Sequence, residues 1–324
     1  MSIIFTEVEN PNNCKARPFH GTAGIVRATI DPATYDQLPF PKDYKYFSCL
    51  QPRTYVDWAE RIQNFKVRSD DIWVLGFPKT GSTWIQNIVY PLKNNLDSTI
   101  FSPLNNFLEI HSILDNIDGD EEFAKFIERR EKLFEELDTL PSPRLMKSHL
   151  PAYLLPKEIW TVRPKLIHMS RDVKDVAVSH YHMCRNSIFL PYKGSAHEFF
   201  HSFYNDYFVW GPYHQHVQSF RQLHHLDHLL LMTYEELSAN TLASVKRLSE
   251  FLGCKYSDED LHQLIEQASF EKMQRKLTTI PGFNPDFKFC RKGKVGGYRD
   301  EMSEEDVKNF DEWTERNKKE LAIE

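Results

Sequence analysis

The stretch DIWVLGFPKTGSTW, Asp71–Trp84, constrains the chain more than any other. Ile72, Trp73, Val74, Leu75 and Phe77 make an apolar run too short for a helix, which reads as a buried strand. The run breaks at Gly76, Pro78 and Gly81, and Trp84, Ile85, Ile88 and Val89 then follow at helical spacing. A strand–loop–helix junction leaves unpaired backbone N–H groups and about half a positive charge at the start of its helix, so it attracts phosphate or sulfate. Gly76 and Gly81 have the glycine spacing of a Walker A loop, yet Ser82 stands where its lysine belongs and the loop's cation is Lys79. A turn of this kind is often ligand-free, so the remaining evidence comes from elsewhere in the chain.

Downstream the pattern repeats. Arg144–His149 and Lys165–Ser170 are short strand candidates ending in polar residues, Val173–Cys184 has helical spacing after Asp172, and His228–Thr233 is a further apolar strand. Helices are expected near Thr54–Phe65, over Glu235–Leu252, Asp258–Glu266 and, with Phe310 and Trp313 packing inward, Glu301–Lys319. The charged run Asp115–Leu140 reads as a helix with a solvated face. Alternation of this kind predicts one α/β domain spanning 1–324, with a mostly parallel central sheet flanked by helices and a P-loop-like nucleotide fold. Pro11, Pro18, Pro32, Pro39, Pro41 and Pro52 interrupt any long element in the first 70 or so residues and suggest an irregular N-terminal cover over 1–45. Ligands of such sheets gather beyond the carboxyl ends of the strands, where Lys79, His149, Arg171 and Tyr234 would converge.

Composition narrows the partners. The net charge of −6 gives no general reason for nucleic-acid binding, so any anion site is local. Five scattered cysteines without CxxC spacing argue against a disulfide framework and fit reduced thiols in the cytoplasm. The first residues carry acidic side chains and no sustained apolar core, and no stretch approaches a membrane span; both point away from a secreted or anchored protein. His180 and His182, His214 and His216, and His224, His225 and His228 have mixed spacing without paired carboxylates, so no metal site is expected.

Four segments, FPKTGSTW, KSHLP, SRDVKDVAVSHYH and RKGKVGGY, occur in the order and spacing that resemble the cytosolic sulfotransferases. The resemblance runs from about residue 45 to residue 300. It implies an enzyme that moves a sulfuryl group from 3′-phosphoadenosine 5′-phosphosulfate to a hydroxyl or amine, yielding adenosine 3′,5′-bisphosphate without a metal. On this footing Lys79, Thr80, Gly81, Ser82 and Thr83 hold the 5′-phosphosulfate, Lys79 stabilises the leaving phosphate, and Trp84 flanks the adenine. His149 is the catalytic base, Lys147 supports the transferring sulfonate, and Arg171 and Ser179 take the 3′-phosphate, with Ser179 also engaging the catalytic lysine. Arg291, Lys292 and Gly293 form a basic lid, followed by a C-terminal helix. Tyr234, Ser269, Phe270, Met273 and Phe289 are adenine contacts, and Phe101, Phe107, His180 and Met183, beside His149, line an apolar acceptor pocket.

The chain also departs from that family. Gly296, Gly297, Tyr298 and Arg299 replace a Gly-Asp-Trp-Lys run, and the usual dimerisation signature is not evident in RDEMSEEDVKNF. A monomer, or a homodimer through another surface, is expected. The acceptor is a small, partly apolar phenol, steroid or other alcohol. Two other activities stay open: a P-loop kinase, against which the missing Walker lysine argues, and sulfation-driven dehydration of an allylic alcohol. A nucleotide-binding carrier without turnover is a third possibility.

Overall fold

The computed structural model describes residues 2–8, 24–97, 106–109, 130–187, 192–278, 280 and 282–321. Strands β1 (Ile3–Glu7), β2 (Ile25–Ile30) and β3 (Ser48–Pro52) pair antiparallel in sequence order, with Ile3 opposite Ile30 and Ala28 opposite Cys49. This corrects the irregular cover expected for 1–45. In β2, Val26, Ala28 and Ile30 are buried while Arg27 and Thr29 are half-exposed, the alternation of a strand with one covered face. Of the described prolines, Pro32, Pro39 and Pro41 fall outside these runs, and Pro52 is the last residue of β3. Helix α1 (Tyr55–Gln63) follows and buries Tyr55, Trp58, Ala59 and Ile62.

The second sheet carries the site. Strand β4 (Ile72–Leu75) leads through the glycine loop into α2 (Ser82–Lys93); after α3 (Arg130–Thr139) come β5 (Leu145–Ser148), the short α4 (Ile159–Val162), β6 (Lys165–Ser170) and α5 (Val173–Asn186). Helices α6 (Ala196–Tyr204) and α7 (Tyr213–Arg221) precede β7 (Leu229–Thr233). The order β5-β4-β6-β7 is parallel throughout, with Leu75 opposite both Ser148 and His168, and Ser170 opposite Thr233. Because β4 is flanked by strands that come later on both sides, the crevice beyond its carboxyl end is the place where such a sheet binds ligand.

Both faces of β4 are buried, as its unbroken apolar run requires. Ile72 and Val74 pack with Ile85, Ile88 and Ile167, whereas Trp73 and Leu75 pack with Ile62, Met146 and Leu166. At its entry Asp71 meets Arg144 in a fully buried bidentate pair, Nε to Oδ1 and Nη2 to Oδ2, both at 2.7 Å. That pair pins the start of β4 to the start of β5.

The helix expected over 235–252 is two helices, α8 (Tyr234–Ala239) and α9 (Thr241–Phe251). Asn240 breaks it, its side chain accepting from Ala243 N–H at 3.1 Å as the cap of α9. Helices α10 (Asp258–Gln267) and α11 (Phe270–Lys276) lead to the basic segment, and α12 (Glu304–Leu321) closes the described chain with Phe310 and Trp313 buried. Of the charged run at 115–140, the described part from residue 130 is helical through α3.

Candidate active site

The glycine loop has a geometry that only glycine allows at two points. Gly76 has φ 147° and Gly81 φ 101°; a Cβ on Gly76 would lie 2.4 Å from the Met169 carbonyl oxygen, and one on Gly81 would lie 2.9 Å from the Tyr234 ring. Lys79 itself is left-handed, with φ 73°. Gly81 caps α2 without a side-chain hydrogen bond, and Ser82 and Thr83 line the cleft at that uncapped start. Thr80 does not. Its N–H and its hydroxyl both donate to the Phe77 carbonyl, at 3.3 and 2.7 Å, so it braces the loop from inside instead of facing a ligand.

Beyond β5, His149 is buried and held on three sides. Its Nδ1 hydrogen-bonds the Gly76 carbonyl, its N–H donates to the Glu109 carboxylate, and its carbonyl is met by His216 Nε2 at 2.9 Å. Phe107 and Trp210 stand edge-on to the imidazole, with ring centroids at 5.0 and 5.6 Å. Burial, then the nearby Lys147 charge, holds the imidazole well below its usual range, so it is a neutral ring at physiological pH. Lys147 Nζ lies 4.8 Å from the Phe107 centroid, and Lys79 Nζ lies 4.0 Å from the Phe289 centroid. Burial lowers the Lys79 ammonium to about 8.

Beyond β6 and β7 the cleft turns basic. Arg171 stacks its guanidinium 4.0 Å from the Tyr234 centroid and donates to the carbonyls of Lys79 and Lys294, at 3.4 and 3.2 Å. Asp175, on the first turn of α5, accepts from the Gly296 and Tyr298 N–H groups at 2.7 and 2.9 Å, which ties residues 294–298 to the helix. Gly293 is left-handed at φ 64°, and a Cβ there would lie 2.3 Å from the Phe270 ring. The lid cations meet acids of their own segment. Arg291 pairs with Glu301, Lys292 with Asp300 and Glu301, each at 2.8 Å, and Lys294 with Asp300 at 2.9 Å.

One cleft thus gathers Lys79, Gly81, Ser82, Thr83, Trp84, Lys147, His149, Arg171, Ser179 and Tyr234 with Phe270, Met273, Phe289, Arg291, Lys292 and Gly293. Phe107 and Met183 line its apolar side. Three expected residues do not line it: Thr80, Ser269 and His180. Ser269 stands before the first turn of α11, one residue short of the lining Phe270. His180 is fully buried one position past Ser179, among the rings of Phe77, Phe199, Phe208 and Trp210, because successive helical residues point about 100° apart. Phe101 lies outside the described residues. The histidine pairs disperse: His182 goes to Glu301 and His214 to Thr314. Trp210, Phe283, Cys290 and Glu109 belong to the neighbourhood but lie outside the four segments; Asp175 lies inside SRDVKDVAVSHYH, four residues after Arg171, and its tie to the basic segment shows only in the fold.

The site's polar atoms test whether a 3′,5′-substituted adenosine fits. Among the described residues, Arg171 Nε and Arg291 Nε are buried without a hydrogen-bond partner, and both belong to residues lining the basic end. Two orphaned guanidinium donors fit a phosphate at that end, while the glycine loop offers a second oxyanion cradle.

The chain matches the Sulfotransferase domain family over residues 69–322. It is 30% identical over 275 residues to the rat (Rattus norvegicus) sulfotransferase 1C2, covering 81% of this chain and 88% of that protein. It is 33% identical over 264 residues to cytosolic sulfotransferase 1 of Danio rerio, covering 78% and 84%. A crystal structure of retinol dehydratase in complex with androsterone and inactive cofactor PAP superposes with a TM-score of 0.78 at 25% identity, covering 98% of this chain and 97% of that one. A strand–loop–helix cradle, a basic end of the same cleft and these matches agree: the chain belongs to the sulfotransferase family and is an enzyme dependent on 3′-phosphoadenosine 5′-phosphosulfate.

Proposed function

We propose that the enzyme sulfates a hydroxyl of a small, partly apolar acceptor, a phenol, steroid or other alcohol, by in-line displacement with His149 as general base. The observation that carries this reading is the bond from His149 Nδ1 to the Gly76 carbonyl. A carbonyl only accepts, so Nδ1 bears the proton and Nε2 keeps its lone pair for an acceptor proton. The bound donor supplies an activated sulfuryl group whose transfer leaves growing negative charge on the bridging phosphate oxygen. Lys79 and the N-terminus of α2 stabilise that charge, and Lys147 supports the sulfonate. Ser82 and Thr83 orient the 5′ end; Arg171, Ser179, Arg291, Lys292 and Gly293 take the 3′-phosphate. Trp84, Tyr234, Phe270, Met273 and Phe289 enclose the adenine. Phe107 and Met183 supply the apolar wall that selects the acceptor.

Support for the acceptor class is the mixture of rings and thioether on one side of the cleft with a neutral base at its floor. The test is a panel of phenols, steroids, allylic alcohols and amines with donor labelled in the sulfuryl group. Labelled phenol or alcohol esters are the expected products; transfer to amines alone would overturn the reading. A second reading is dehydration of an allylic alcohol through its sulfate ester, supported by the likeness to retinol dehydratase over nearly the whole of both chains. Mass analysis separates the two, since a retained ester adds a sulfonate and an elimination removes water. A cytoplasmic home fits the free thiols of Cys49, Cys184, Cys254 and Cys290.

A further inference from the structure

Residues 106–109 run parallel along the outer edge of β5. Phe107 forms an isolated bridge with Lys147, Leu108 N–H donates to the Lys147 carbonyl at 2.9 Å, Lys147 N–H donates to the Asn106 carbonyl at 2.9 Å, and the Asn106 amide reaches the Leu145 carbonyl at 2.8 Å. One short segment therefore brings two side chains to His149: Phe107, edge-on to its ring and lining the cleft, and Glu109, buried behind it, whose carboxylate accepts the His149 N–H. Glu109 is 0% exposed. Leaving a carboxylate dry is costly unless charge and hydrogen bonds compensate it, and here the Ser148 hydroxyl and the Lys147 ammonium join the His149 N–H in doing so.

We infer that Glu109 is a positioning residue for sulfuryl transfer: it locks the acceptor-side segment 106–109 to the base-bearing end of β5 and sets a buried carboxylate beside the strand end that carries Lys147 and His149. This rests on His149 acting as the base. The geometry gives the lock a purpose. Because the backbone of His149 is held by Glu109 on one side and by His216 on the other, its ring is presented to Phe107 and the acceptor in one orientation. Burial pushes the Glu109 carboxyl up and the Lys147 ammonium down, so each needs the other to stay charged. The remaining groups facing this cluster are Cys49 on β3 and Tyr55 on α1 beside Glu109, Lys79 beside Lys147, and His216 and His180 beside His149. Among these neighbours of Glu109, Lys147 is the cation.

The test compares Glu109→Gln, which keeps the shape and an accepting oxygen but loses the charge, with Glu109→Asp, which keeps the charge but shortens the reach. Initial rates with labelled donor and one accepted phenol give kcat, acceptor KM and the pH profile; calorimetry with adenosine 3′,5′-bisphosphate reports an intact nucleotide site. Glu109→Gln is expected to bind the nucleotide normally, lose ~10- to 10²-fold in kcat with little change in KM, and move the alkaline limb of kcat/KM to lower pH, since Lys147 deprotonates earlier without its counter-charge. Glu109→Asp is expected to lose kcat while keeping that limb in place. Wild-type kcat and pH profile in Glu109→Gln overturn the inference. Should that variant not fold, wild-type kcat in Glu109→Asp overturns it. A His149→Asn control separates the two readings: full turnover there refutes the base itself, whereas an impaired control beside an unimpaired Glu109→Gln refutes only the role of Glu109.

Discussion

His149 Nδ1 and the Gly76 carbonyl oxygen join two strand ends, the one after β5 that bears the proposed base and the one after β4 that opens into the glycine loop. A side chain that binds the loop's own backbone cannot drift from it, so base and donor cradle share one rigid frame. Replacing the ring should therefore damage chemistry more than binding. His149→Asn is expected to lower kcat by ~10²- to 10⁴-fold, the usual worth of a general base, while the Kd for adenosine 3′,5′-bisphosphate stays within about threefold. Single-turnover kinetics beside calorimetry would check it.

The pH profile follows from opposite requirements of the proposed mechanism. It needs His149 neutral, and burial holds that imidazole well below its ordinary value; it needs Lys79 protonated, and burial brings that ammonium down to about 8. Lys147, which the proposed mechanism also needs protonated, is brought lower still, to about 7, so kcat/KM, which reports the free enzyme, should fall as pH rises from about 7 through about 8. Lys79→Arg, whose guanidinium stays charged, should lose kcat and the upper step near 8, leaving the lower step set by Lys147.

At the basic end, Arg171 and Arg291 each hold a buried Nε in reserve. Arg171→Ala should weaken adenosine 3′,5′-bisphosphate by ~10- to 10²-fold, the worth of one charged hydrogen-bonded contact, and leave adenosine 5′-phosphate nearly unaffected. Equal losses for both nucleotides in a titration would place the 3′-phosphate elsewhere. Removing Glu301, which pairs with Arg291, Lys292 and His182, is expected to act in the opposite sense at low salt by freeing cations for the ligand.

Stability should depend heavily on the entry to β4. Asp71→Asn leaves Arg144 buried with its counter-charge gone, a change worth about 3–5 kcal/mol. Urea unfolding would show it as a lowered midpoint with an unchanged slope. A joint Asp71→Leu, Arg144→Met change should recover much of the loss, because neither charge then stays behind.

The sequence by itself determined the sheet strands β4 to β7 almost residue for residue, because buried parallel strands are short unbroken apolar runs between polar breaks. It also determined which residues meet, since Lys79, His149, Arg171 and Tyr234 each follow a strand whose carboxyl end faces the same crevice. The tertiary structure decided what local pattern cannot encode. Thr80 turned inward to its own loop, and His180 fell one helical step behind Ser179 into an aromatic core, because a motif gives spacing while the direction of a side chain depends on what packs around it. The N-terminal strands exist through antiparallel partners distant in sequence, and the proline punctuation of that region hid them. Glu109 had no motif at all: its role arises where a segment from one part of the chain pairs with β5 from another, and only the fold brings its carboxylate to the base.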